Sequence, residues 1–379
     1  MNHLDAINIE DLRRIAHDRL PRFVFTYVDG GAEDEITLRG NREAFAGLHF
    51  RPRTLVDVSM RDLSTQLLGS HAALPVVVGP TGLNGLCWRD GDMQLARAAS
   101  RAGVPFAMST VSMSLVEDIA REAPGRLWLQ AYVFSERRIT DALVRRALDA
   151  GFEALMLTSD FPVAGKREGD WRTGLLPKQR LTLATRFDLL RHPRWLATVA
   201  TRRRRFVNVE RELPPGQDVN NFVGHGMFDA SFRWDDLRHF RDRWPRKLIL
   251  KGVLRADDAE RAVNAGVDAV VLSNHGGRQL DGAISGIDAL PDVTSAIAGR
   301  AGILIDGGVR RGSDIAKAIA LGAQGVLLGR ATVYGLAAAG APGVARAIEI
   351  LADEFDRTLA LTGCRNVGDL TPDLIATQP

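Results

Sequence analysis

The chain alternates short apolar runs with amphipathic stretches. Eight runs are rich in Val, Ile and Leu: LPVVVG from Leu74, VPFAMS from Val104, LWLQAY from Leu127, ALMLTSD from Ala154, KLILKG from Lys247, DAVVLSN from Asp268, GILIDGG from Gly302 and GVLLGR from Gly325. Between them, SERRITDALVRRALDAG from Ser135 and ADDAERAVNAG from Ala256 repeat apolar residues at helical spacing and close on a glycine, as helix C-termini do. Near-continuous apolar runs, as opposed to alternating ones, suit parallel strands covered on both faces. Eight strand–helix units in about 260 residues predict an α/β fold, a (β/α)8 TIM barrel. A doubly wound sheet is the rival architecture, but no Gly-x-Gly-x-x-Gly follows any run.

Two stretches fall outside this rhythm. Residues 1–70 predict a helical extension, with Tyr27 just ahead of the turn Asp29-Gly30-Gly31-Ala32. Residues 166–232 form an insertion between the fourth strand and its helix, far longer than such loops usually are. A last helix over about Gly343–Leu361 closes the barrel, and the whole chain, 1–379, reads as one domain.

Each apolar run ends in polar residues, on the face where barrels place their chemistry. They are Thr81, Ser109, Gln130 with Tyr132, Thr158 with Asp160, Lys251, Ser273 with His275, Asp306, and Gly329 with Arg330. Any one of them is as readily a satisfied structural group. Eight converging on one mouth point to a large, polar, planar ligand. Glycine-rich loops after runs seven and eight (DGGVRRGS and GR) suit a phosphate held by backbone N–H groups and helix N-termini, with Arg310 and Arg330 adding charge. Lys251, at the tip of an apolar strand, is costly unless it faces negative charge, such as a reduced flavin ring carries. Phosphate with a polar ring suggests FMN in preference to a dinucleotide.

Composition changes this picture little. The 379 residues are 45% hydrophobic and 25% charged, ordinary for a globular protein. Cys87 and Cys364 stand far apart, which argues against a disulfide framework or a zinc site and for a reducing cytoplasm. No metal is expected. The N-terminus is charged too early for a secretory signal, and no run is long enough to span a bilayer. Charge is more informative. Residues 165–212 hold 13 Lys and Arg against 5 Asp and Glu, a balance of +8 in a chain of net +3, so the remainder carries −5.

SNHGGRQLD from Ser273, with LILKG before it and IDGGVRRGSDI and LGAQGVLLGR after it, resembles the FMN-dependent L-2-hydroxy acid dehydrogenase and oxidase family. YVDGGAEDE, GPTGLNG and ILKG lie nearest to its (S)-mandelate and respiratory L-lactate dehydrogenases, and the resemblance runs from about Leu20 to Gly363. It implies that His275 takes a proton from the substrate with Asp160 as its partner. It implies that Arg278 and Arg167 bind the substrate carboxylate, assisted by Tyr27 and Tyr132. Flavin contacts would come from Pro80, Thr81, Gly82, Ser109, Gln130, Thr158, Lys251 and Ser273. Phosphate contacts would come from Asp306, Gly308, Arg310, Gly329 and Arg330. Physical chemistry agrees: an arginine fork suits a carboxylate, a cation stabilises a reduced flavin, and a carboxylate orients a histidine. Transfer of hydrogen as a proton or as a hydride both end with a proton on His275.

The resemblance also suggests an acceptor. Gly82 stands where oxidases of the family often carry alanine, which favours a dehydrogenase over an H2O2-forming oxidase. In the insertion, LLRHPRWLATVATRRRRF from Leu189 sets apolar and aromatic residues beside a basic cluster, as interfacial segments do. The expectation is an enzyme on the inner face of the cell membrane, passing electrons to quinone. A solvated loop or a contact within a homo-oligomer, a tetramer by resemblance, is the plainer reading of the same segment. Nucleic-acid binding fits poorly, since the rest of the chain is acidic. Non-redox FMN barrels such as isopentenyl diphosphate isomerases have no need of the His/Arg pair. The expected substrate is an aromatic acid such as mandelate, with L-lactate as the alternative.

Overall fold

In the computed structural model, which describes residues 2–175, 181–200, 206–214 and 227–377, the eight apolar runs are the eight strands of one closed barrel. They are β1 (Val76–Val78), β2 (Phe106–Ser109), β3 (Leu127–Ala131), β4 (Ala154–Thr158), β5 (Lys247–Val253), β6 (Ala269–Leu272), β7 (Gly302–Asp306) and β8 (Gly325–Leu328). Every neighbour pair is parallel, from β1–β2 round to β8–β1.

Both faces of the strands are buried, which is why the sequence runs do not alternate. Val77, Ala107, Trp128, Met156, Ile249, Val271, Leu304 and Leu327 fill the interior. Leu67 and Ala72, on a hairpin of Thr65–Leu67 with Ser70–Ala72, join the same cluster and plug one end. Residues of opposite parity, among them Val76, Val78, Leu155, Leu250 and Val270, belong to the outer core beneath the helices.

Three helices precede the barrel: α1 (Ile9–Arg19), α2 (Arg22–Asp29) and α3 (Ile36–Ala46). The outer ring is α4 (Gly91–Arg101), α5 (Val116–Glu122), α6 (Arg137–Asp149), α7 (Trp234–Arg243), α8 (Ala256–Asn264), α9 (Gly286–Ile297), α10 (Gly312–Ala320) and α11 (Arg330–Ala339). The closing helix α12 is Ala341–Thr362 and starts two residues before the expected Gly343, because Pro342 sits comfortably in a first turn. The extension is docked through Asp29, whose carboxylate accepts from Arg13 Nε (2.7 Å) and from the Tyr334 hydroxyl on α11 (2.6 Å).

The insertion after β4 is partly pinned. The short helix Glu168–Thr173 lies against α2, where a side chain on Gly169 would meet Thr26. Trp195 is buried edge-on to Phe23 and donates from Nε1 to the Leu86 carbonyl (2.7 Å). Asn208 is buried too, donating to Ser114 O (2.8 Å) and accepting from the Val116 N–H (3.2 Å). By contrast Leu183, Phe187 and Leu190 are 72%, 69% and 71% exposed, on one side of the helix Leu183–Leu189 and its continuation. The Arg202–Arg205 cluster lies outside the described residues. No helix among the described residues is long and apolar enough to cross a membrane.

Helices α11 and α12 meet at Gly335 and Gly343, each so close to the other's carbonyl that a Cβ would run into it. Gly343→Ala is expected to push the pair apart and cost about 1–3 kcal/mol, the usual penalty of overpacking, read as a lower denaturation midpoint in urea.

Candidate active site

The strand C-termini open into a cavity of about 640 Å³, within the range of roughly 300–1,000 Å³ usual for ligand sites. Of the residues singled out in the sequence, Tyr27, Pro80, Thr81, Gly82, Ser109, Gln130, Tyr132, Thr158, Arg167, Lys251, His275, Arg278, Asp306, Gly308, Arg310, Gly329 and Arg330 line it. Asp160 and Ser273 stand directly behind this wall, bonded to His275 and Lys251.

Strand order makes the wall continuous. Ser109 Oγ at the end of β2 donates to Gln130 Oε1 on β3 (3.1 Å), and Gln130 Nε2 donates to Thr158 Oγ1 on β4 (2.8 Å). On the next three strands, Lys251 Nζ donates to Ser273 Oγ (2.6 Å) and pairs with Asp306 Oδ2 (2.8 Å). Burial alone would discharge Lys251, but Asp306 and Asp160 outweigh it and hold the ammonium above its ordinary pKa. Asp306, expected at a phosphate, instead turns its carboxylate to this lysine, since two anions would repel. One oxygen, Asp306 Oδ1, is buried without a partner among the described residues.

His275 follows β6 at φ +60°, followed by Gly276 at +66° and Gly277 at +73°. Its Nδ1 lies 2.9 Å from Asp160 Oδ1, and its Nε2 lies 3.3 Å from the Tyr132 hydroxyl. Burial lowers the imidazole pKa; Asp160 raises it, while Lys251 and Arg167 push it down again, leaving it below the ordinary value. Burial pushes the Asp160 carboxyl up, but the facing His275 ring, its hydrogen bond and the Lys251 charge win and keep it ionised. A neutral imidazole held by a carboxylate is a proton acceptor whose protonated form is stabilised on arrival.

Two arginines flank it. Arg278 Nη1 donates to Tyr27 O (2.7 Å) and Gly30 O (2.9 Å), and its guanidinium lies 4.9 Å from the Tyr27 ring centroid. Among the described residues the Nε and Nη2 donors of Arg278 have no such carbonyl partners. Among the described residues Arg167 makes one long bond, Nε to Arg278 O (3.4 Å), and burial with the neighbouring Arg278 lowers its pKa to about 10. These free donors face the same cavity as His275 and suit a carboxylate.

Arg330 departs from expectation. Its Nε, Nη1 and Nη2 donate to the carbonyls of Val28 (3.1 Å), Gly276 (2.9 Å) and Gly30 (2.8 Å), and burial drives its pKa to about 9. Most of its donors therefore tie the extension to the His275 loop, leaving one N–H on each terminal nitrogen for a ligand. Arg310 donates to its neighbour Val309 O (2.8 Å) and lies over Tyr334.

Several lining residues gave no signal in the sequence. The Phe161 ring packs tilted or edge-on, with its centroid 5.0 Å from that of Tyr132, 4.5 Å from Phe228 and 5.3 Å from His275, forming an aromatic wall. Phe228 comes from the insertion, brought in by a bridge to Phe134. Asp170 is buried with Oδ2 unpartnered; burial raises its carboxyl pKa while Arg278 and Arg167 pull it back. Only the position of Phe161, one residue after Asp160, could have been read as site-facing.

The residues fit a flavin mononucleotide. A polar row for a ring edge, a buried cation, an unpartnered carboxylate oxygen and loops bare of side chains at Gly307, Gly308 and Gly329 all face one cavity. The chain matches the FMN-dependent dehydrogenase family over residues 16–377. It is 45% identical over 375 residues to (S)-mandelate dehydrogenase of Pseudomonas putida, covering 99% of this chain and 95% of that one. It is 43% identical over 369 residues to a putative L-lactate dehydrogenase of Mycobacterium tuberculosis, covering 97% of this chain and 88% of that one. A crystal structure of the monotopic membrane protein (S)-mandelate dehydrogenase superposes with a TM-score of 0.94 at 43% identity, covering 99% of this chain and 100% of the other. The protein belongs to the FMN-dependent dehydrogenase family; it is an oxidoreductase and its cofactor is FMN.

Asp160→Asn removes the charge that raises the His275 pKa. The acid limb of the flavin-reduction profile, where activity is lost as His275 becomes protonated, is expected to move to lower pH. The plateau rate should fall on the order of 10²-fold, measured by anaerobic stopped-flow across pH.

Proposed function

We propose that the protein oxidises an L-2-hydroxy acid with an aromatic side chain, (S)-mandelate or a close analogue, to the 2-oxo acid and passes the electrons to a quinone-type membrane acceptor. The observation that carries this reading is the His275–Asp160 pair set between Arg167 and Arg278 beneath the wall of Tyr132, Phe161 and Phe228. Oxidation removes two electrons and two protons from the carbinol carbon and its hydroxyl. FMN, when bound, would take up the two electrons with one proton, and the other proton goes to His275.

The residues divide the remaining work. Arg278 and Arg167 hold the carboxylate, which sets the chirality that can react. Tyr27 and Tyr132 add hydroxyl hydrogen bonds. His275 Nε2 receives a proton, and Asp160 stabilises the imidazolium that results. Lys251 offers positive charge to the cofactor, and Pro80, Thr81, Gly82, Ser109, Gln130, Thr158 and Ser273 line its polar side. Gly308, Arg310, Gly329 and the two spare donors of Arg330 serve its phosphate, with Asp306 holding Lys251.

The aromatic wall supports a phenyl over a methyl group, since either carboxylate would meet the same arginines. Gly82 supports a dehydrogenase. A Cβ there would lie 2.7 Å from Val111 Cγ2 and 3.3 Å from the Tyr27 hydroxyl, so even one methyl would repack the loop beside the cofactor. Exposed Leu183, Phe187 and Leu190 beside exposed Arg186, Arg191 and Arg194 support a peripheral seat on an anionic, cytoplasmic membrane face.

Anaerobic mixing tests the chemistry. (S)-Mandelate should bleach the yellow flavin band faster than L-lactate, and His275→Ala should abolish bleaching while retaining flavin. Phe228→Ala should raise the KM for mandelate on the order of tenfold with little effect on lactate. Faster bleaching by L-lactate in the unaltered enzyme would make lactate the substrate. Stoichiometric peroxide with rapid oxygen use would make it an oxidase.

Replacing Leu183, Phe187 and Leu190 together by serine should release the enzyme from anionic vesicles in a flotation assay while dye-linked turnover persists. An unaltered enzyme that stays wholly in the supernatant would overturn the membrane assignment.

A further inference from the structure

The loop carrying His275 leaves β6 in a conformation that side chains avoid. His275, Gly276 and Gly277 follow one another in the left-handed region, and His275 has a Cβ to accommodate there. Such a stretch persists where its surroundings over-determine it. On one side, Ser273 Oγ accepts from the His275 N–H (3.0 Å) and Arg330 Nη1 holds the Gly276 carbonyl (2.9 Å). The Gly277 carbonyl accepts from the Ala32 N–H (2.8 Å).

The other side rests on a buried amide pair. Asn274 Oδ1 accepts from the Gly277 N–H (3.0 Å) and from Asn41 Nδ2 (2.9 Å), while Asn274 Nδ2 donates to Asn41 Oδ1 (2.7 Å) and Ile284 O (2.9 Å). Asn41 and Asn274 are 2% and 4% exposed, so neither amide has water as a substitute partner. Asn41 lies on α3, in the extension, 233 residues from its partner. The same residue abuts the loop after β7. A Cβ on Gly307 would lie 3.3 Å from the Asn41 amide, and one on Gly308 would run into the Asn41 carbonyl. The start of α3 is tied to the far end of the His275 loop, where Asp281 Oδ1 accepts from the Thr37 N–H (2.8 Å).

We infer that Asn41 is a positioning residue for His275. Through Asn274 it fixes the left-handed turn that presents Nδ1 to Asp160 and Nε2 to the cavity, and it braces that turn against the loop after β7. The inference rests on His275 being the proton acceptor. It gives the helical extension a part in the reaction that no contact with substrate would reveal.

Asn41→Leu keeps the branched shape and removes both amide bonds; Asn41→Ala removes the side chain. The holoenzymes would be compared by FMN content, by Kd for a non-reducing aromatic carboxylate, and by the anaerobic reduction rate per bound flavin across pH. Both variants are expected to hold FMN and to bind the carboxylate within about twofold, because Arg167 and Arg278 remain in place. Reduction per flavin should slow on the order of ten- to a hundredfold. The acid limb should move to lower pH, as His275 loses alignment with Asp160 while Lys251, Arg167 and Tyr132 still face it. A merely structural residue would lower the yield of loaded enzyme and leave the rate per flavin and the acid limb unchanged. That result, or loss of FMN in both variants, overturns the inference. His275→Ala run alongside separates the two readings. If it still reduces flavin, the proton-acceptor reading fails. If it is inactive while Asn41→Leu is fully active, only the role of Asn41 fails.

Discussion

Charges buried at the barrel mouth have to be compensated from within the protein, and the arrangement of the site follows from how that is done. An ion removed from water costs several kcal/mol unless paired. Lys251 is met by Asp306 and the Ser273 hydroxyl. Arg330 is met by three main-chain carbonyls. Arg278 is half met by the Tyr27 carbonyl and by the Gly30 carbonyl it shares with Arg330, and Arg167 has a single long bond among the described residues. The shortfall is concentrated beside His275. That residual positive potential, with Asp170 nearby but unbonded, makes the pocket complementary to a carboxylate.

Compensation by carbonyls makes the N-terminal extension part of the site. Arg278 and Arg330 both reach the Gly30 carbonyl, one from the loop after β6 and the other from the start of α11. Two cations from strand ends two places apart round the mouth thus converge on one turn of the extension. Asp29, in that turn, is held by Arg13 and Tyr334. Tyr27 in turn sits under Arg278 and donates to the Gly82 carbonyl (3.3 Å). The helices before β1 therefore complete the site, which the barrel alone would leave open.

The insertion has a divided character. Its buried residues, Trp195 and Asn208 among them, anchor it to the barrel wall, and Phe228 delivers one side of the aromatic pocket. Its Leu183, Phe187 and Leu190 are exposed, uncovered by the described residues. One segment thus joins the substrate pocket to the surface proposed to meet lipid.

By itself the sequence determined the barrel, because strands buried on both faces need unbroken apolar runs and each run must end where the polar mouth begins. It also singled out His275, Arg278 and Lys251, which follow strand ends where polar residues are conspicuous and which the fold brings to one cavity. Tertiary structure alone decided the rest. Phe228 and Asp170 reach the cavity from an insertion, and Asn41 reaches Asn274 beside it from an extension, and the local patterns of both segments are those of ordinary loops and helices. Likewise Asp306 and Arg330 carry the residue types of a phosphate site but spend their hydrogen bonds on Lys251 and on carbonyls. Partner choice at a buried ion depends on which groups lie within about 3 Å, and only the folded chain brings residues 233 positions apart to that distance.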